Sequence, residues 1–287
     1  MICCHPPIPA TELHAVAGKL HASSRIGHKL HDLLLDRGAG LTSIAKLVKL
    51  DPSLCSRVIT TSNSQAFRRG EPAESIDAAL LRLGLGNVSR VLGPAISNEV
   101  FSDGIPIYGI SYAELNKNLV ATAVAIKVFS RTTHDDERVG YTLGLMRSLG
   151  RLILNEWAEE TPTFLATLPP LQTHDHAQTA RWETENFGWT SAQVTSLIFA
   201  HWWFAADLCE AVRGHMDSQP EEHLPALLHA TCWGVSQIGY GLTCETGAWN
   251  LTDSVLEKSE LSEAKILATI KTLLPEIEKT IAALGLD

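Results

Sequence analysis

Residues 139–157, VGYTLGLMRSLGRLILNEW, constrain the fold more than any other stretch of the chain. Apolar side chains recur there at helical intervals, at Leu143, Met146, Leu149, Ile153, Leu154 and Trp157. Gly144 and Gly150 leave out side chains that would hold neighbouring helices apart. What remains is a narrow polar stripe of Arg147, Ser148, Arg151 and Asn155. The pattern predicts a core helix across the whole stretch. A helix that is apolar on nearly every side is buried, and each polar group on it then needs a partner or a route to water.

A chain of 287 residues can bury a large core, as one large domain or two small ones. The net charge of −9 argues against a general nucleic-acid binder or a binder of anionic membranes, since phosphate recognition needs clustered Lys and Arg. A small local basic pocket remains compatible with it. No apolar run is long enough to span a membrane, and MICCHPPIPATELH does not read as a signal peptide. The cysteines show no CxxC and no framework spacing. Cys55, Cys209 and Cys232 fall inside apolar helical patterns, as buried free thiols do, so a reduced, cytoplasmic setting is expected. Cys3, Cys4 and His5 are read as an incidental cluster near the start of the chain.

Residues 11–36 read as a helical region ended by Gly38 and Gly40. Its His21, His28 and His31-Asp32 are taken as a solvated face. Asp51 is placed to cap the next helix, with Pro52 at its first position, where a missing N–H costs nothing. That helix closes on Ser62-Asn63-Ser64. Another opens at Ser75 and breaks at Gly84-Leu85-Gly86. The loop holding Gly104, Pro106 and Gly109 is the best boundary between subdomains. Ser111-x-x-Glu114 reads as a capping box opening a helix through Phe129, and 130–138 as a turn. Thr161–Gln172, with three prolines, reads as a broken surface connection. Thr190-x-x-Gln193 reads as a second capping box, followed by an apolar helix through His201 whose pattern continues to His215. A core helix is expected over about 224–240, and amphipathic helices, bent or divided at Pro275, over 251–284. There is no sustained β-alternation and no fixed repeat. The fold class is all-α, as two packed helical subdomains, 1–108 and 109–287.

The order helix–DP–helix–NS–loop–SI–helix–LG, continued through RVLGPAISNEVF, the 139–157 stretch, Glu185-x-Phe187-Gly188, Trp202 and His215, resembles the HDOD family, the HD-related output domain of bacterial signalling proteins. The frame G-L-[LM]-x-x-[LI]-G-[RK]-L within it resembles the helix that carries the His-Asp pair of HD-superfamily metal-dependent phosphohydrolases. Matched position by position, the resemblance puts the first metal-ligand His at Asn118, the His-Asp pair at Arg147-Ser148 and a later His at Ser191. Only His215 is retained, followed by Met216. The C-terminal subdomain would be the HD-like one. Asp51, Pro52, Asn63, Ser64 and Gly84 belong to the family's recurring text and are read as structural, with Asn63 tying its helix end to a neighbouring segment.

An HD-type enzyme polarises a phosphoryl oxygen and acidifies a water with divalent ions. Asn and Ser are weak neutral ligands, and an arginine has no lone pair and stays protonated. No catalytic residue, no metal and no cofactor is therefore expected. Two readings of Arg147 stay open. In one, Arg147 and Arg151 pair with water or with acids such as Glu114 or Glu185. In the other, the vestigial pocket of Asn118, Arg147, Ser148, Arg151, Ser191 and His215 binds an anion such as the phosphate of a small ligand.

His174-Asp175-His176 reads as a solvated loop, and His201 as a satisfied core histidine. Trp182, Phe187, Trp189, Trp202, Trp203 and Phe204 read as core, with a partner surface as the alternative for part of them. The function this implies is a non-enzymatic regulatory module of bacterial signalling. It would act on signalling proteins or an unidentified small ligand, with homo-oligomers allowed. The alternatives are a metal-dependent phosphohydrolase or phosphodiesterase, and a nucleotide-binding sensor without turnover. No receiver, GGDEF or EAL segment accompanies it, so the input would come from a separate protein.

Overall fold

A computed structural model of the chain describes residues 6–20, 26, 29–30, 32–33, 40–68, 70–97, 104–172 and 175–284. Cys3, Cys4, His5, His21, His28, His31 and His174 lie outside the described residues.

The N-terminal half is fastened by local chemistry. Helix α1 (Ala10–Ala17) ends at Gly18, and of the rest of the expected helical region the described residues 26, 29–30 and 32–33 are helical. Helix α2 (Leu41–Val48) leads to Asp51, whose carboxylate accepts from the N–H groups of Ser53 and Leu54 at 2.9 and 3.0 Å and so caps α3 (Pro52–Asn63). Ser64 closes α3, its hydroxyl donating to the Thr61 carbonyl at 2.7 Å. Ser75 caps α4 (Ile76–Ser97) through the Ala78 N–H. Gly84, at φ 68° and ψ 166°, kinks α4, a conformation in which a Cβ would be strained.

Strands β1 (Gly104–Ile105) and β2 (Ile110–Ser111) pair antiparallel where a plain loop was expected. Helix α5 (Tyr112–Thr133) follows and packs along α6 (Glu137–Met146). It runs four residues beyond Phe129, so the expected turn at 130–138 shrinks to His134–Asp136. Only half of the first capping box forms. Ser111 accepts from the Glu114 N–H, but the Glu114 carboxylate turns to the N–H and hydroxyl of Thr243, both at 3.0 Å.

After α6 the chain breaks and restarts as α7 (Leu149–Glu159), with a short α8 (Pro162–Leu165) beyond it. Asp175 caps α9 (His176–Phe187), and the Thr190-Gln193 box opens α10 (Ser191–His201) with both reciprocal bonds in place. The pattern expected to continue to His215 is instead interrupted by a turn at 202–205, and α11 (Ala206–Gly214) follows. Helix α12 (His223–Gln237) packs on α5. Between α13 (Asp253–Ser259) and α14 (Glu263–Leu284) the division falls at Glu260, which is left-handed at φ 57°. Pro275 therefore sits inside α14, on its exposed side.

Buried apolar side chains from both halves join in one cluster, from Leu13 and Leu54 through Leu119 and Ile153 to Ile270. Two glycines set how close its helices come. A Cβ built on Gly150 would lie 1.9 Å from the Ser191 carbonyl oxygen of α10, and one on Gly144 would lie 2.7 Å from Ala123 of α5. Gly150→Ala forces α7 and α10 apart along a packed face. It is expected to cost roughly 1–3 kcal/mol as an overpacking change, read as a shifted urea midpoint with an unchanged slope.

Candidate functional site

The break between α6 and α7 falls on the two motif positions. Arg147 follows the last residue of α6 and Ser148 precedes the first of α7. In an unbroken helix the Gly150 N–H would donate to the Met146 carbonyl. It donates instead to the Thr195 hydroxyl of α10 at 2.9 Å. Gly150 lacks the side chain that would keep α10 away, so a neighbouring hydroxyl captures the N–H and the helix opens there. Arg147 and Ser148 thus sit at a buried corner where both side chains turn into the interior.

Their surroundings are charged and buried. Arg147 meets the Glu245 carboxylate with two parallel bonds, Nη1 to Oε1 at 2.7 Å and Nη2 to Oε2 at 2.9 Å. Arg151, one turn on, donates from Nη1 to the same Oε1 at 2.5 Å and to the Ser148 hydroxyl at 3.2 Å. Arg147 Nη2 also donates to the Asn118 side-chain oxygen, while the Asn118 amide donates to the Tyr240 carbonyl at 2.6 Å. All three charged side chains are buried. The acids anticipated as partners are engaged elsewhere, Glu114 on Thr243 and Glu185 on Arg181.

Glu245 lies in a single 3-10 turn, Thr243–Glu245, between α12 and α13. That turn is held from several sides. Glu114 binds Thr243, the Thr179 hydroxyl donates to the Cys244 carbonyl at 3.2 Å, and the His176 N–H donates to the Thr246 carbonyl at 3.1 Å. Burial pushes the Glu245 carboxyl up, but Arg147 and Arg151 outweigh it and hold the group at about 2.

A second buried acid stands beside the first. Glu183 accepts from the Tyr108 hydroxyl at 2.9 Å and from the Ser191 N–H at 2.7 Å. Burial raises its pKa, with Arg151 and these donors pulling the other way. Ser191 enters the pocket through this backbone N–H. His215 ends α11 with Nδ1 donating to the Val212 carbonyl at 2.8 Å, and burial followed by the charge of Arg147 hold its ring at about 3, neutral. Trp249 covers the group, with the Arg147 guanidinium 5.6 Å from its ring centre and the rings of His215 and His229 packed near it. Arg147 Nε, Arg151 Nε and His215 Nε2 are buried without a hydrogen-bond partner.

The six residues of the anticipated pocket therefore converge. The residues that complete it, Glu245, Glu183, Tyr108 and Thr195, come from a polar turn and from helix positions that carry no spacing signal. The donors do not fit a divalent cation. Arg147 has no lone pair, the Asn118 oxygen and both Glu245 oxygens are taken by guanidinium groups, and the Ser148 hydroxyl already accepts from Arg151. Among the described residues no group of three His, Cys, Asp or Glu could hold a metal ion.

Three sequence expectations change outside this pocket. His201 is exposed and stacks on His14 at 3.9 Å, so it is not a core histidine. Trp203 is 59% exposed, whereas Trp202 and Phe204 are buried and Trp182, Phe187, Trp157 and Phe164 form a separate aromatic group. Asp175 is exposed and caps α9, and His176 opens that helix, so the expected loop ends at Asp175. Asn63 does tie distant segments. Its amide donates to the carbonyls of Ala73 and Trp202 at 3.1 and 2.9 Å, and its oxygen accepts from the Ala73 N–H and from Arg82.

The helix order, with a broken helix presenting paired positions to a buried pocket, defines an HD-like all-α fold. The HDOD domain matches residues 20–218, and the chain belongs to that family. The MmoQ response regulator from Methylococcus capsulatus str. Bath has a similar fold, at 19% identity and a TM-score of 0.67, over 88% of this chain and 98% of that one. A virulence factor from Campylobacter jejuni subsp. jejuni is similar at 16% identity and a TM-score of 0.66, over 95% of this chain and 100% of that one. No curated protein sequence matches.

Proposed function

We propose that this chain is a regulatory module of bacterial signalling that works by protein contacts and performs no phosphohydrolysis. The observation that carries this reading is the bidentate Arg147–Glu245 pair, which puts a fixed guanidinium and its own carboxylate where an HD enzyme would keep metal ligands. A buried guanidinium repels a cation and cannot ionise a water. The same pair bears on the anion-binding reading of the pocket, since Glu245 is itself the anion that Arg147 and Arg151 hold.

In this reading the halves 1–108 and 109–287 offer their joint surface to a signalling partner. A reduced, cytoplasmic setting agrees with the free thiols of Cys55, Cys232 and Cys244, all buried, and no helix among the described residues is long and apolar enough to cross a membrane. The test is elemental analysis of the purified chain together with a phosphodiesterase assay on bis(p-nitrophenyl) phosphate in added manganese. The expected result is substoichiometric metal and no cleavage above buffer. Stoichiometric manganese, iron or zinc, with cleavage lost on its removal, would establish the phosphohydrolase alternative instead.

A further inference from the structure

A groove of about 620 Å³ shares no residue with the Arg147 cluster. One wall is the end of α3 with the turn after it, carrying Gln65 and Arg68. The other is the end of α10 with the turn at 202–205, carrying His201 and Trp203. The two walls are fixed to each other. Asn63 donates to the Trp202 carbonyl at 2.9 Å, and the Ala205 N–H donates to Glu74 Oε1 at 2.9 Å. The groove is therefore preformed, and its volume is that of a small-molecule site, roughly 300–1,000 Å³.

Trp203 is the feature that folding does not explain. Its backbone is left-handed at φ 65°, an outlier for a bulky residue. The Trp203 N–H donates to the Ala200 carbonyl and the Phe204 N–H to the Phe199 carbonyl, a helix ending in which glycine is the usual left-handed residue. The stack beneath it is made by Phe199, Trp202 and Phe204. The indole of Trp203 faces solvent, with the Arg68 guanidinium 4.8 Å from its ring centre. Arg57 and Arg82 are taken up by backbone carbonyls and the Asn63 oxygen, whereas Arg68 shows no carboxylate or carbonyl partner among the described residues.

We propose that this groove binds a nucleoside monophosphate, or a ligand of the same chemistry, with a planar heteroaromatic ring on Trp203 and the phosphate on Arg68. An exposed indole gives the ring a stacking face. The planar fork of Arg68 can donate to two oxygens of a phosphate and matches its charge, and a cation–π contact preorganises it. Gln65 offers an amide that can both donate and accept at a base edge, and His201 offers a further ring nitrogen at the rim. The site is independent of the Arg147 pocket, so its failure leaves the reading of that pocket standing.

Calorimetry on the full chain with AMP, GMP, CMP and UMP tests this, with inorganic phosphate and the matching nucleosides as separate titrants. Saturable binding of at least one nucleotide below roughly 5 mM is expected, at least about tenfold tighter than phosphate or nucleoside alone. Arg68→Gln and Trp203→Gly should each weaken it by roughly tenfold or more. Trp203→Gly should do so without lowering the melting temperature, because glycine relieves the left-handed backbone. No saturable binding of any of the four nucleotides, phosphate binding as tightly as a nucleotide, or affinity unchanged in both variants would each overturn the proposal.

Discussion

Glu245→Gln is expected to destabilise the chain by roughly 3–5 kcal/mol at neutral pH, because it removes the carboxylate bonded to two buried guanidinium groups and leaves only Glu183 near Arg151. The amide keeps the shape and some hydrogen bonding, so the loss reports charge and not volume. Chemical denaturation of both proteins gives the difference directly. Acid should show the same link. The Glu245 carboxyl sits at about 2 in the fold against an ordinary 4.5. Its contribution is fully present above pH 4.5 and is lost as the pH falls from there through about 2. In Glu245→Gln that part of the acid dependence should disappear. The triple change Arg147→Met, Arg151→Met, Glu245→Leu removes the three mutually bonded charges at similar volume, leaving Glu183 on Tyr108 and the Ser191 N–H, and is expected to be near neutral or stabilising. A loss in the single variant with recovery in the triple would mark the network as an electrostatic unit and not a packing feature.

Asn63→Ala is expected to cost roughly 2–4 kcal/mol, from three buried backbone groups left unsatisfied at about 1–3 kcal/mol each, less what water restores. The Ala73 N–H and the carbonyls of Ala73 and Trp202 would lose their partner. Asn63→Asp is a sharper probe. It keeps the acceptor toward Ala73 and Arg82 but aims an oxygen at two carbonyls that now receive an N–H. It should therefore destabilise at least as much as the alanine, with the excess shrinking as the pH is lowered and the new carboxyl protonates. Because Trp202 belongs to the turn after α10 and Ala73 to the segment before α4, the loss also loosens the contact between these two segments. Proteolysis at the 202–205 turn should accelerate in both variants.

What the sequence disclosed was local or periodic. Ser64, Gly84 and the Thr190-Gln193 box act within a few residues of themselves, as does the capping oxygen of Asp51, and these roles follow from capping and backbone rules alone; the second Asp51 oxygen, which accepts from the Tyr112 hydroxyl at 3.1 Å, does not. The apolar spacing of 139–157 placed these residues in the core, and the two glycines there do admit neighbouring helices. The break at Arg147-Ser148 was not legible, because its cause is a hydroxyl on Thr195, far along the chain. Glu245 was not legible either. It lies 98 residues from Arg147 in a polar turn where nothing distinguishes a buried acid from a solvated one. The exposure of His201 is hidden for a related reason. A helical pattern running on to His215 hides the turn after α10, and that turn carries the ring of Trp203, and the groove that holds His201, to the surface. Pro275 shows the opposite case, a residue that ends many helices but is accommodated on the solvent side of α14.

The most direct test of the account is a crystal soaked in excess manganese, with anomalous scattering recorded at the metal's absorption edge. No anomalous peak is expected between α5, α6 and α12, and the electron density should show Arg147 joined to both oxygens of Glu245. A peak within bonding distance of Asn118, Ser148 or Glu245, with the guanidinium displaced, would contradict it.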